Sequence, residues 1–226
     1  LSLHDALPIY PGLRVGGLAA ALREDGAGIE AHLGRYANFS DRAFAALNTA
    51  CFEDGPLLHL GREVAVGGII HLVFVTTGGA QPAAVFPRGL LMFDTGSEAT
   101  VVETHLATGQ APLLICPVTE LIAADNTRVD HYRTVFEPAS ATHLSHLRTH
   151  QGRSSTVRSH TLSIDVGLAR HEVHSVLAGE GGDCILNGLY VASGEQHVDN
   201  HLRVEHAAPH CHSWEYYKGV LDDRAR

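Results

Sequence analysis

Histidine supplies 17 of the 226 residues. Five of them, His197, His201, His206, His210 and His212, lie close in sequence to Cys211, Glu205 and Glu215. Imidazole, thiolate and carboxylate are the ligands that iron, zinc and copper take. His210-x-His212 puts two rings on one side of an extended segment, because side chains alternate along a strand, and Glu215 is near enough in sequence to join them. The metal-ligand candidates are His206, His210, Cys211 and His212. A plainer reading has these as solvated histidines on strand faces and at a turn after Pro209, and it is preferred because short motifs match by chance. His131, His143, His146, His150, His160, His171 and His174 show no common H-x-x-x-H or H-E-x-x-H spacing within a helix-like stretch and read mostly as polar strand residues. His71, within the apolar run IIHLVFV, is expected to be buried and hydrogen-bonded, since burying an unpaired polar group is costly.

The His210, His212 and Glu215 set half-resembles the metal site of cupins, in which such residues hold an ion inside a β-barrel. A metal-dependent cupin-like enzyme is therefore the alternative functional reading. The gap from His212 to Glu215 is shorter than cupins use, and the glycine expected upstream falls near Val204. Other chemistry is poorly served. There is no G-x-S-x-G elbow and no G-x-x-x-x-G-K-[ST] phosphate loop. Gly179–Gly182 (GEGG) lacks a following lysine and reads as a tight corner between strands. Asp222 and Asp223 point to opposite faces if extended and cannot converge on one substrate.

The formal charge is −9, with 16 basic residues that form no cluster. That argues against nucleic acid and anionic membrane partners, which need a concentrated basic face. No run approaches the roughly 18–20 apolar residues that span a bilayer. The four cysteines, Cys51, Cys116, Cys184 and Cys211, share no C-x-x-C spacing and read as isolated thiols of a reducing compartment, which points to the cytoplasm.

Positioning elements follow from periodicity. Residues 10–55 read as a helical N-terminal segment. Leu13–Glu24 is rich in Ala and Leu, and Ser40 stands as an N-cap before a second helix carrying Phe44 and Leu47. From residue 56 the period becomes two. His197 to His206 alternate polar and apolar, Ala169, Val173 and Leu177 share one face, and Val129 and Val135 share another, opposite Arg128, Asp130 and Thr134. Turn signals fall near Gly96, Asn126, Gly152, Gly167, Gly181 and Gly194, spaced by roughly 14 residues or twice that. Periodicity alone ranks a β-sandwich and a β-helix about equally.

Several segments in order resemble the SufB/SufD family, and SufD most. They are Phe44–Ala50 with Asp54-Gly55, Ile70–Gly78, Pro87–Leu90, Val101–Glu103, Thr119-Glu120, Leu177–Gly182, Leu186–Tyr190 and Gln196–Arg226. The resemblance implies a mainly β fold, a right-handed parallel β-helix (solenoid) preceded by the short helical segment. It implies a non-enzymatic scaffold subunit of the SufBCD complex in iron–sulfur cluster assembly, partnered by a SufB-like β-helix subunit and a SufC-like ATPase. No cofactor is then expected to bind this chain tightly, and the cluster is assembled transiently by the full complex. Residues 1–9 resemble sequencing-adapter read-through and are set aside as a scar. Residues 56–226 read as a β-helix core truncated at its C-terminal side, before the family's Cys-x-His segment.

Overall fold

Side chains alternate across a strand, so one face can be buried while the other points outward, and the chain folds as such strands paired in parallel in a computed structural model that describes residues 10–37 and 42–226. Leu13–Gly17 forms strand β1, followed by helices α1 (Leu18–Glu24), α2 (Gly26–Glu30) and α3 (Ala43–Cys51). The expected helix over Leu13–Glu24 thus begins only at Leu18. Its first five residues carry two glycines and a β-branched Val15, and they pair antiparallel with Pro56–Leu60 instead. The Ser40 cap lies outside the described residues.

Six pairs of strands follow, each pair forming one coil. They are β2 (Pro56–Leu60) with β3 (Ala65–Thr77), then β5 (Arg88–Phe93) with β6 (Glu98–Thr108), after the short β4 (Ala83–Val85). Next come β8 (Val118–Ala123) with β9 (Arg128–Phe136), preceded by β7 (Leu113–Ile115), and β10 (Ala141–Gln151) with β11 (Thr156–Ile164). The series ends with β12 (Leu168–Leu177) and β13 (Asp183–Ala192), then β14 (His197–His206) and β15 (His212–Leu221). The first strand of each coil joins a nine-stranded sheet in the order β1-β2-β5-β8-β10-β12-β14, with β4 and β7 beside it. The second joins a six-stranded sheet, β15-β13-β11-β9-β6-β3. The two sheets face each other as a mainly β parallel solenoid, as the family resemblance implied. Leu57 pairs with Leu90, Leu90 with Glu120, Glu120 with Arg148, Arg148 with His174 and His174 with Arg203, steps of 33, 30, 28, 26 and 29 residues. Two strands per coil make the half-step about 14, which is the turn spacing read from the sequence.

The corner between the two sheets repeats in every coil. Glu63, Gly96, Asn126, Ser154, Gly181 and His210 all have positive φ, from 53° to 75°. Such backbone suits glycine and asparagine and costs other residues about 1–2 kcal/mol, so a recurrent requirement holds it there. The first five each donate their N–H to the carbonyl just before the next left-handed residue, at Thr95, Asp125, Arg153, Glu180 and Pro209, over 2.8–3.2 Å. The corners are therefore stitched to one another along the axis.

Inside, aliphatic rows run along the stack. Leu58, Leu91 and Leu121 are in register, as are Ala99, Val129, Val157 and Cys184, and all are buried. The helical segment covers the outer face of the nine-stranded sheet, packing Leu18, Ala21 and Ile29 on Leu57 and Leu90. β3 lies at one edge of the six-stranded sheet with half its side chains facing solvent. His71 is accordingly exposed, hydrogen-bonded to Thr104 Oγ1 at 2.8 Å, and not in the core as its apolar neighbours suggested. No helix among the described residues is long and apolar enough to cross a membrane.

Candidate functional site

Alternation along a strand decides which polar side chains enter the solenoid. In β6, Val101, Glu103 and His105 point inward. In β9, Val129, His131, Arg133 and Val135 do so. Glu103 and Arg133 are register partners, and the guanidinium meets one carboxylate oxygen through Nε at 2.8 Å and Nη2 at 2.6 Å. Thr119 of β8 closes the group, donating its hydroxyl to Glu103 at 3.0 Å and accepting from Arg133 at 3.0 Å. His131 lies 3.6 Å from Glu103 and shares a hydrogen bond with Ser159 of the next coil. Burial by itself would raise the Glu103 pKa. The Arg133 charge, with the His105 and His131 rings standing 3.9 and 3.6 Å from the carboxylate, outweighs it and holds the carboxyl well below its usual range.

Next to this pair lies a second interior group. His143 of β10 bonds through Nδ1 to Glu137 Oε1 at 3.0 Å, and the ring of His105 stands 5.1 Å from that of His143, edge-on. His105 stacks flat on Phe74 at 4.4 Å, and burial lowers its pKa to about 4. His171 of β12 is wedged between Ser145 Oγ at 2.7 Å and Ser163 Oγ at 2.6 Å. Burial there pushes its pKa well below 6.5. One donor atom each from His105, Glu137 and His143 lies within 4.8 Å of the other two.

Polar groups on the outer face of the nine-stranded sheet serve a different purpose. Glu120 accepts from the backbone N–H groups of Gly34, Tyr36 and Ala37 and pairs with Arg88 at 2.6 Å. Asn48 of α3 donates to the carbonyls of Pro87 and Cys116. Arg42 and His146 reach Glu172 at 3.0 and 3.3 Å. These contacts fasten the N-terminal segment to the coils.

The candidates read from sequence do not converge. His210 is a left-handed corner residue 3.8 Å from Glu180 with its side chain largely in solvent. His212 is exposed beside Asp183 at 3.2 Å. His206 shares a hydrogen bond with Ser213, and Cys211 donates its thiol to the Gly179 carbonyl. Glu215 sits in an open solenoid with no barrel to close around it, so the cupin geometry is not formed. Among the described residues, the one His/Cys/Asp/Glu group with converging donor atoms is His105, Glu137 and His143. The thiols of Cys116 and Cys184 are buried, and burial raises them to about 12 and about 11.

A parallel solenoid whose turns measure 26 to 33 residues narrows the choice of relatives, and the sequence comparison decides it. Residues 74–226 match the family model of the SUF-system FeS cluster assembly SufBD core domain. The chain belongs to the SufBD family. Similar SufBD proteins include an iron–sulfur cluster assembly SufBD family protein of Synechocystis, 25% identical over 82% of this chain and 43% of its own length. One of Mycobacterium leprae is 27% identical over 97% of this chain and 55% of its own. The iron–sulfur cluster assembly protein SufD of Escherichia coli is 24% identical over 69% of this chain and 37% of its own. The chain thus spans about half the length of the SufBD relatives it matches.

Proposed function

We propose that this SufBD chain is a non-catalytic scaffold subunit in iron–sulfur cluster assembly, acting within a SufBCD-type complex beside a SufB-like solenoid and a SufC-like ATPase. The observation that carries the reading is the SufBD core match across residues 74–226, which covers five of the six coils whole. The geometry agrees with it. Inside the stack Glu103 is paired with Arg133, and the hydroxyls of Thr119, Ser145, Ser159 and Ser163 are bonded to histidines or carboxylates, which ties these polar groups into the structure. The outer face of the six-stranded sheet, by contrast, exposes Tyr132, Leu189, Trp214 and Tyr216. Contiguous exposed apolar surface of this kind marks protein–protein contact. The iron–sulfur cluster is cargo of the complex in this proposal, and none of the residues described here is assigned as its ligand.

The test is co-purification. The tagged full-length protein, expressed with its SufB-like and SufC-like neighbours, is expected to retain both through gel filtration. Failure to hold either partner overturns the proposal. Multiple-turnover chemistry by the isolated protein would overturn its non-catalytic part.

A further inference from the structure

The triad of His105, Glu137 and His143 is not explained by the scaffold role, and its hydrogen bonding is incomplete. All three residues are buried, with fractional exposures of 1%, 3% and 0%. Both ring nitrogens of His105, Nε2 of His143 and Oε2 of Glu137 have no hydrogen-bond partner. Four unmatched polar atoms at one spot stand out beside Glu103, Arg133 and His171, which find partners, and His131, which leaves only Nε2 unmatched. Buried polar groups are nearly always paired, and a concentration of exceptions points to an ion or water at the place. Among the described residues, the Glu137 carboxylate is bonded to His143 alone. Arg133, in the interior, is engaged with Glu103 and Thr119.

We propose that His105, Glu137 and His143 bind one divalent first-row transition cation inside the solenoid. Two imidazoles and one carboxylate, with no thiolate, form a donor set that zinc and its neighbours accept. The ion also answers the geometry. Its charge offsets the buried carboxylate, and it takes up the lone pairs that have no partner. The 4.8 Å that bounds the donor separations exceeds the roughly 3.3 Å implied by tetrahedral bonds of about 2.0–2.1 Å. Closing the site from that bound takes small side-chain rotations, and Glu137 lies outside the regular strands, between β9 and β10, so no strand ladder fixes its backbone. The three residues come from β6, from that connection and from β10, so an ion here ties three successive coils together. This goes beyond the scaffold reading and does not depend on it. It also departs from the expectation that the chain holds no tightly bound cofactor.

Zinc alone is the probe. Protein stripped with a chelator, incubated with Zn2+ and passed through gel filtration is expected to retain about one equivalent and to melt at a higher temperature than the stripped form. Glu137→Gln and His105→Phe, the latter keeping the ring stack on Phe74, are each expected to lose the equivalent and the melting shift. The double variant His210→Ala/His212→Ala is expected to keep both, which separates the interior site from the exposed histidines. If a core variant fails to fold, Co2+ in the unaltered protein supplies the readout: a tetrahedral visible band without sulfur-to-cobalt charge transfer is expected. Retention below a tenth of an equivalent, loss of binding only in the His210→Ala/His212→Ala variant, or a thiolate charge-transfer band overturns the proposal. Partner binding and zinc content are read separately, so failure of one leaves the other standing.

Discussion

Glu103 and Arg133 face each other across adjacent coils with almost no solvent around either, and that sets the sign of what their loss does. Removing one partner of a buried pair leaves an uncompensated charge, whereas replacing both with apolar groups costs far less. Arg133→Ala is expected to lower unfolding free energy by about 3–5 kcal/mol, and Glu103→Leu/Arg133→Leu to recover most of that loss, both read from urea denaturation. A single-variant loss below about 1 kcal/mol would show that water reaches the pair. These inward residues were legible by parity. Once Val129 and Val135 are placed on the buried face, His131 and Arg133 must share it, and Ala169 with Val173 brings His171 along. Reading His131, His143 and His171 as polar strand residues without placing them inside weighs residue type above alternation. Glu137 was not legible at all, since it belongs to no strand and no period reports on it. The pairing of His105 with His143 joins residues 38 positions apart in sequence, and only the coil length brings them together.

At the level of elements, the same alternation explains what the sequence did and did not disclose. The turn positions at Gly96, Asn126, Gly181 and Gly194 all have positive φ, and the residues given a period of two, His197–His206 and those from Arg128 to Val135, lie in strands. Sandwich and solenoid remained equal because both alternate, and parallel pairing leaves no mark on a single strand. The N-terminal element was misread at Leu13–Gly17, where strand pairing with β2 overrides modest helix propensity. Two predictions belong here. Glu120 binds three backbone N–H groups of residues 34–37, so Glu120→Ala is expected to release the helical segment and to speed limited proteolysis within residues 18–52 at least severalfold. An unchanged digestion pattern would mean that α3 and the apolar contacts alone hold it. Gly188 lies beneath the ring of its register partner Tyr217, where a Cβ has no space. Gly188→Val is expected to destabilise by about 1–3 kcal/mol, as overpacking does, and to increase solvent quenching of tyrosine fluorescence. A neutral effect would show the last coil to be loosely packed.

For the whole molecule, burying so many histidines couples folding to acidity. Burial lowers the pKa of His146 to about 4, against the pull of Glu172, and it also lowers His150, His160 and His174. The unfolded chain protonates these rings near pH 6.5, and the folded chain does so only at lower pH. The unfolded state therefore binds more protons across that window, and stability rises with pH there. Between pH 6.5 and about 4 the protein is expected to lose stability on acidification, by up to about 1.4 kcal/mol per pH unit from His146 alone. Melting temperature measured from pH 7.5 to 4.5 checks this, and a flat profile contradicts it. The stitched corners carry a mechanical consequence as well. Each of the first five left-handed residues donates along the axis to the coil after it, so the bonds lie in series under a load that pulls the two ends of the stack apart. Tension then breaks one link at a time and pays out a single turn of the spring, about 90–120 Å of extended chain at roughly 3.3–3.6 Å per residue, while the turns behind it stay wound.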